Sequence, residues 1–235
     1  MVNAQSFTIA ADRRGMPMKP RLIIGNKNYS SWSLRPWLLL REARIDFDEH
    51  RIVLDTPDTK AEIAKHSPAG RVPVLELDDV TVWDSLAICE TVAERWPDKQ
   101  LWPDDPAARA HARSVSAEMH AGFSVLRDCM PMNCRAMGRK VPIPDALGND
   151  IDRVIAIWSD CHQRYGDRGG WLFGGFSVAD AMYAPVVLRL RTYGINLPES
   201  AGYYPERLLQ SEAMQEWLAA AECETEVIEA DEKGQ

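Results

Sequence analysis

Apolar and polar positions change period once along this chain. In the first part, short runs dense in apolar residues alternate with helical patterns. Arg21 to Ile24 and Phe47 to Leu54 read as strands. Between them a polar loop, Gly25 to Ser30, leads into a helix that runs to about Ala43 and carries Trp37, Leu38 and Leu40. Thr56 to His66 is a poorly amphipathic helix or a loop. Val72 to Leu77 and Val80 to Trp83, joined by a turn at Asp78 and Asp79, make a β-hairpin. Leu86, Cys89, Ala93 and Trp96 then recur at helical spacing, so a third helix covers the sheet. The predicted order is βαβ followed by ββα.

Strand signals stop at a connector framed by Pro97, Pro103 and Pro106. Beyond it, Ala108, Ala112, Val115, Met119, Gly122 and Leu126 trace one face of a long helix. Ile151, Val154, Ile155, Trp158 and Tyr165 trace another, and Ser177 to Tyr193 and Ser211 to Ala221 add two more. The fold class expected is an α/β N-terminal domain over residues 20–98 and an all-α C-terminal domain over 105–222. Residues 1–19 lack periodicity and are expected to be a disordered extension, with Met16 and Met18 just before the first apolar run. The acidic stretch 223–235 reads as a solvated tail.

Composition narrows the function. A net charge of -8 argues against nucleic-acid and anionic-membrane partners, which need a basic surface. No run of eighteen apolar residues spans a bilayer, and the opening residues lack the apolar core of a secretory signal. Five cysteines, an odd number, point to a reducing, cytoplasmic compartment. Cys129 and Cys134 form a C-x4-C pair with no second pair at zinc spacing, and Cys161 and His162 diverge by about 100° on a helix. No metal is therefore expected.

The candidate chemistry sits where the first loop meets the first helix. Pro36 lacks an amide and fits the first helical turn, which places the helix start between Ser31 and Ser33. Ser30 and Ser31 then lie at the positive end of the helix dipole, either as plain caps or as donors to a bound anion. A hydroxyl donor to a thiolate is worth about 1.5–3 kcal/mol and the helix dipole about 0.3–1 more, and the upper part of that range brings a thiol from pKa about 8.5 to below 7. Farther on, Pro73 opens a strand and leaves an edge that can accept a peptide, while Asp84 and Ser85 start a helix whose free amides suit a carboxylate. Ser177 and Asp180 form a capping box with a structural role. Met119 and Phe123, four apart, share a helical face that forms core or lines an apolar pocket, and His120 reads as a surface or hydrogen-bonded histidine.

In order, S-S-W-S-L-R from Ser30, S-P-A-G-R-V-P-V-L from Ser67 and D-S-L-A-I from Asp84 resemble the glutathione S-transferase superfamily, over residues 20 to 222. The likeness is greatest to its serine-type, zeta-like bacterial branch, whose S-S-C-S-W-R motif is matched at Ser30, Ser31, Ser33 and Arg35. The resemblance implies a thioredoxin-like first domain with a cis-proline at Pro73, joined to the helical domain. It implies glutathione as co-substrate without a metal, held by Trp32, Arg71, Val72 and Pro73, with Asp84 and Ser85 at the γ-glutamyl end. It assigns the thiolate to Ser30, with Ser31 as the alternative. Tyr29, Met119 and Phe123 would form the pocket for a small hydrophobic electrophile, and the protein would be a homodimer. Trp32 stands where the zeta motif carries cysteine, which argues against thiol exchange by the protein and against that class's maleylacetoacetate isomerase activity. Conjugation is the expected reaction. Glutathione-dependent isomerisation or dehalogenation, and a non-catalytic binding or regulatory module, are the alternatives; no C-x-x-C near the first helix supports an oxidoreductase.

Overall fold

A computed structural model describes residues 19–78, 80–166 and 169–235. The expected disorder over 1–19 therefore lies, Lys19 apart, outside the described residues, as does the Asp79 half of the predicted turn. The first half contains β1 (Arg21–Ile24), α1 (Ser31–Glu42), β2 (Asp48–Arg51), α2 (Thr59–Ala64), β3 (Val74–Leu77), β4 (Val80–Val82) and α3 (Ser85–Arg95). The strands form one sheet in the order β2-β1-β3-β4, with β1 parallel to β2 and the other pairs antiparallel. This is the βαβ-ββα arrangement of a thioredoxin-like domain. Side chains alternate across it. Leu22, Ile24, Leu75 and Leu77 join the core with α1 and α3, while Ile23 and Val74 pack on the other face with Ile52 and Ile63.

Helix α1 is buried on nearly every side, because it lies between the sheet and the helical half. Ser31 and all of residues 33–40 are buried. Trp37 meets Trp217 edge to face at 5.1 Å between ring centroids and donates its Nε1 hydrogen to Glu49 at 2.6 Å. The helix starts at Ser31, so Pro36 falls in its second turn and has no amide to give the carbonyl of Trp32.

The helical half comprises α4 (Pro106–Ala121), α5 (Ser124–Cys129), α6 (Asp145–Tyr165), α7 (Val178–Thr192), α8 (Tyr204–Leu209) and α9 (Glu212–Glu222). The single long helix expected through Leu126 is broken. Gly122 is extended and Phe123 is left-handed at φ 61°, so α4 ends and α5 leaves in a new direction. Arg127 Nε donates to the Gly122 carbonyl at 3.0 Å and fixes the corner. Ser177 and Asp180 do cap α7: the buried Asp180 carboxylate accepts from Leu172 N at 2.9 Å and from both the amide and the hydroxyl of Ser177 at 2.8 Å. Among the described residues no helix is long and apolar enough to cross a membrane.

The stretch 223–235, expected as a solvated tail, is instead a strap laid across both halves. Glu224 is buried, and its carboxylate accepts from Lys27 N at 2.7 Å, Asn28 N at 3.0 Å and Arg51 Nη1 at 3.2 Å. Its acidity serves these donors rather than water. Glu224→Ala should cost about 2 kcal/mol, since two buried amides lose their acceptor. Urea unfolding measures this, and a change under half that size would mean that water replaces the carboxylate.

Candidate active site

The loop between β1 and α1 is held from several directions. Asn26 accepts from Leu54 N at 2.8 Å, and Asn28 pairs with Asn133 at 3.1 Å and accepts from Arg135 N at 2.9 Å. These buried bonds replace the regular pairing that a loop lacks. They fix where α1 begins, and so where its free amides point.

At that point the two candidate serines differ. Ser30 occupies the N-cap but makes no capping bond; its hydroxyl donates to Ser33 Oγ at 2.7 Å, which also accepts from Gly25 N at 3.0 Å. Ser31 Oγ accepts from Arg189 Nη2 at 3.1 Å. Both serines line a cavity of about 400 Å³, together with Tyr29, Trp32, Arg71 and Val72. The Val72–Pro73 bond is cis, as the resemblance implies. The helical half and the strap supply Arg127, Met132, Arg189, Ile228 and Asp231 to the same cavity. A larger hollow of about 640 Å³ lies elsewhere, between the end of α1 and α9, and contains none of the predicted site residues.

Charge around the cavity is mainly positive. Arg189 is buried without a carboxylate ion pair among the described residues. Burial, with Arg127 nearby, lowers it to about 10. Burial also lowers Arg127, and raises Asp231 against the pull of Arg189. Beneath them Arg35 is fully buried: Nη1 reaches Ser85 Oγ at 3.4 Å, and Nε and Nη2 have no partner among the described residues. Its guanidinium falls to about 9, chiefly through burial and then through Arg127 and Arg189. Two of these cations lie over the Trp32 ring, Arg35 at 4.3 Å and Arg127 at 4.7 Å from the ring centroid. The ring's negative faces offset part of the crowding.

The remaining predicted residues divide. Asp84 caps α3 through Leu86 N and Ala87 N at 3.0 and 3.3 Å, and also lies 2.9 Å from His120 Nε2. Ser85 is buried against Arg35. Neither lines the cavity; both connect to it through Trp32, whose ring stands edge-on to His120 at 5.4 Å. Tyr29 presents its ring to the cavity, but its hydroxyl donates to Glu232 at 2.7 Å, away from the serines. Met119 and Phe123, predicted for the substrate pocket, are core residues at 1% and 7% exposure and lie outside the cavity, because the corner at Gly122 ends the helical face they were expected to share.

Sequence reasoning missed Arg127, Arg189, Ile228 and Asp231. Arg189 carried a signal, as a cation inside the apolar run Val186-Val187-Leu188 and Leu190. Among the described residues no group of three His, Cys, Asp or Glu side chains could hold a metal ion.

Comparison with known proteins fits this geometry. The family pattern described as "Glutathione S-transferase, N-terminal domain" matches residues 29–95. A probable maleylacetoacetate isomerase of Caenorhabditis elegans is 33% identical over 110 residues, 47% of this chain, and the chain spans only 50% of that relative's length. Maleylacetoacetate isomerase of Rattus norvegicus is 25% identical over 205 residues, 84% of this chain and 91% of the relative. A glutathione transferase homolog from Burkholderia, solved with bound glutathione, superposes with a TM-score of 0.66 at 22% identity, covering 87% of this chain and 98% of that one. At that identity the likeness is one of fold.

Proposed function

Since the chain belongs to the glutathione S-transferase superfamily, we propose that it holds glutathione as a thiolate at the start of α1 and presents it to a small electrophile that carries a carboxylate. The observation that supports this most is the single cavity shared by the Ser30-Ser31 helix start and the cations Arg127 and Arg189. Leu54, Ile63, Met132 and Ile228 give the same cavity apolar walls, suited to a hydrophobic body. A carboxylate placed against the arginines would leave its unsaturated carbon facing the sulfur. Holding both reactants so lowers the barrier by making the attack intramolecular.

The names of the relatives favour isomerisation over conjugation. In that reaction the thiolate adds to one carbon of a cis double bond, and the electron pair moves onto the conjugated carbonyl. The resulting single bond rotates, and expulsion of the thiolate restores the double bond in the trans form. No net redox change occurs and glutathione is regenerated. Trp32 does not exclude this, because the attacking sulfur is that of glutathione.

Calorimetry should show glutathione binding without added metal. Glutathione-dependent turnover of cis-dienoates should then exceed that of haloaromatics, epoxides and peroxides. If neither glutathione nor an S-alkyl derivative binds at millimolar concentration, catalysis is excluded and a non-catalytic module with this fold remains. Preference for uncharged haloaromatics would leave glutathione chemistry in place and remove the carboxylate.

A further inference from the structure

We infer that Asp231, on the strap, is a proton donor in the active-site cavity, and that it gives this site a second outcome: a glutathione thioether made by conjugate addition, alongside the trans isomer. The inference rests on the glutathione reading above and assigns a catalytic role to the stretch 223–235.

Asp231 closes a short helical turn, Glu229–Asp231, and lines the cavity that holds Ser30, Ser31 and Arg189. The turn is fastened at both ends. Ile228 is buried in the cavity wall, and the Glu232 carboxylate accepts from the Tyr29 hydroxyl at 2.7 Å and from Asn133 Nδ2 at 2.8 Å. Glu232 is thus committed to holding the strap, whereas the Asp231 carboxyl takes no hydrogen bond from the described residues and is left to the cavity.

The charged and titratable groups around Asp231 come from several elements. Arg189 and Tyr193 belong to α7, Arg127 to α5, Arg71 to the loop before β3, Tyr29 to the loop before α1 and Asp55 to the loop after β2, while Glu232 and Lys233 flank it. Burial holds the Asp231 carboxyl above the usual carboxylate range, against the pull of Arg189. A substrate carboxylate seated at Arg189 favours the protonated form further, because two anions in one small cavity repel.

Addition of the thiolate to the double bond moves an electron pair onto the conjugated carbonyl, and the resulting enolate has two exits. Expulsion of the thiolate returns an alkene. Alternatively, the Asp231 proton passes to the carbon beside the new C–S bond, and the electron pair forms a C–H bond there. The C–S bond is kept, and Asp231 is left as a carboxylate that water reprotonates. Glutathione has already lost its thiol proton to water, so the sum is addition of S and H across the double bond with no redox change. Ser31 Oγ and Arg189 Nη2 are 3.1 Å apart, so an acid beside Arg189 lies a few bonds from the start of α1, where the sulfur is held. An acid so placed competes with expulsion.

The test supplies glutathione and cis-acetylacrylate, a carboxylate conjugated to a ketone, to the full-length protein in heavy water. NMR reads the initial ratio of thioether to trans isomer, with the uncatalysed reaction subtracted. Both products share one intermediate, so the ratio does not depend on the supply of thiolate. It should fall as pH rises, because protonated Asp231 is the donor, and the deuterium should lie on one face of the carbon. Asp231→Asn should lower the ratio about tenfold or more and flatten its pH dependence, since a carboxamide has no proton to give; Asp231→Glu should recover part of it. A merely structural role would change melting and total turnover and leave the ratio in place. If Asp231→Asn does not fold, the pH dependence and the deuterium face in the unmodified protein still decide. Trans isomer alone at every pH, an unmoved ratio in folded Asp231→Asn, or deuterium on both faces overturns the proposal and leaves the glutathione reading standing. Failure of the unmodified protein to bind glutathione overturns both.

Discussion

Replacing Asp180 with alanine is expected to remove about 3 kcal/mol or more of stability, because the buried amides of Leu172 and Ser177 lose an acceptor that nothing else can supply. The Ser177 hydroxyl can turn elsewhere; the two amides cannot. The loss should depend on pH in a definite direction. Burial pushes the Asp180 carboxyl up to about 7, against the downward pull of its donors. Its folded pKa thus lies above the unfolded value of about 3.8, so the native state binds the proton more tightly. The contribution is full below the unfolded value and is lost as pH rises through 7. Chemical denaturation of the native protein and Asp180→Ala should give a wider gap near pH about 5 than near pH about 8. A gap that widens with pH would show that the three donors outweigh burial.

Arg35→Met is expected to do the opposite to stability and to lower activity. A fully buried guanidinium with two nitrogens unpartnered among the described residues costs free energy that a side chain of similar length and no charge does not, so the variant should gain about 1–4 kcal/mol. Loss of the stack on Trp32 returns part of this. Glutathione-dependent turnover near neutral pH should fall about tenfold, equivalent to about 1.4 kcal/mol, because a cation beneath the start of α1 no longer favours the thiolate. Melting curves and initial rates on one preparation test both halves. Strong destabilisation would mean that the guanidinium has a buried acceptor, such as water. A stabilised, fully active variant would mean that its charge is irrelevant to the sulfur.

The sequence made the element order legible because the period of apolar residues changes where the architecture changes. It was least informative where one residue serves two neighbours. Helix α1 shows no clean apolar stripe, since Trp37, Leu38, Leu39 and Leu40 are all buried between the sheet and the helical half. The serine pair was readable from its place between a polar loop and Pro36, yet only the structure separates Ser30 from Ser31, because their partners Ser33 and Arg189 are three and 158 positions away. Met119 and Phe123 misled because periodicity continues through Gly122 while the backbone does not. The acidic stretch misled for a different reason: charge alone does not reveal whether water or a buried amide receives it.

Glu224 accepts from the backbone of Lys27 and Asn28 across 197 and 196 positions, and Glu232 takes the Tyr29 hydroxyl across 203. The loop that opens α1 is thus synthesised well before the residues that complete its hydrogen bonding. During synthesis the sheet and its helices can collapse early, since their contacts are close in sequence, but the amides of Lys27 and Asn28 must wait until Glu224 has emerged. A nascent first half therefore carries a scaffold with an unfinished loop, whose hydrogen bonds are completed only with residues 224–232.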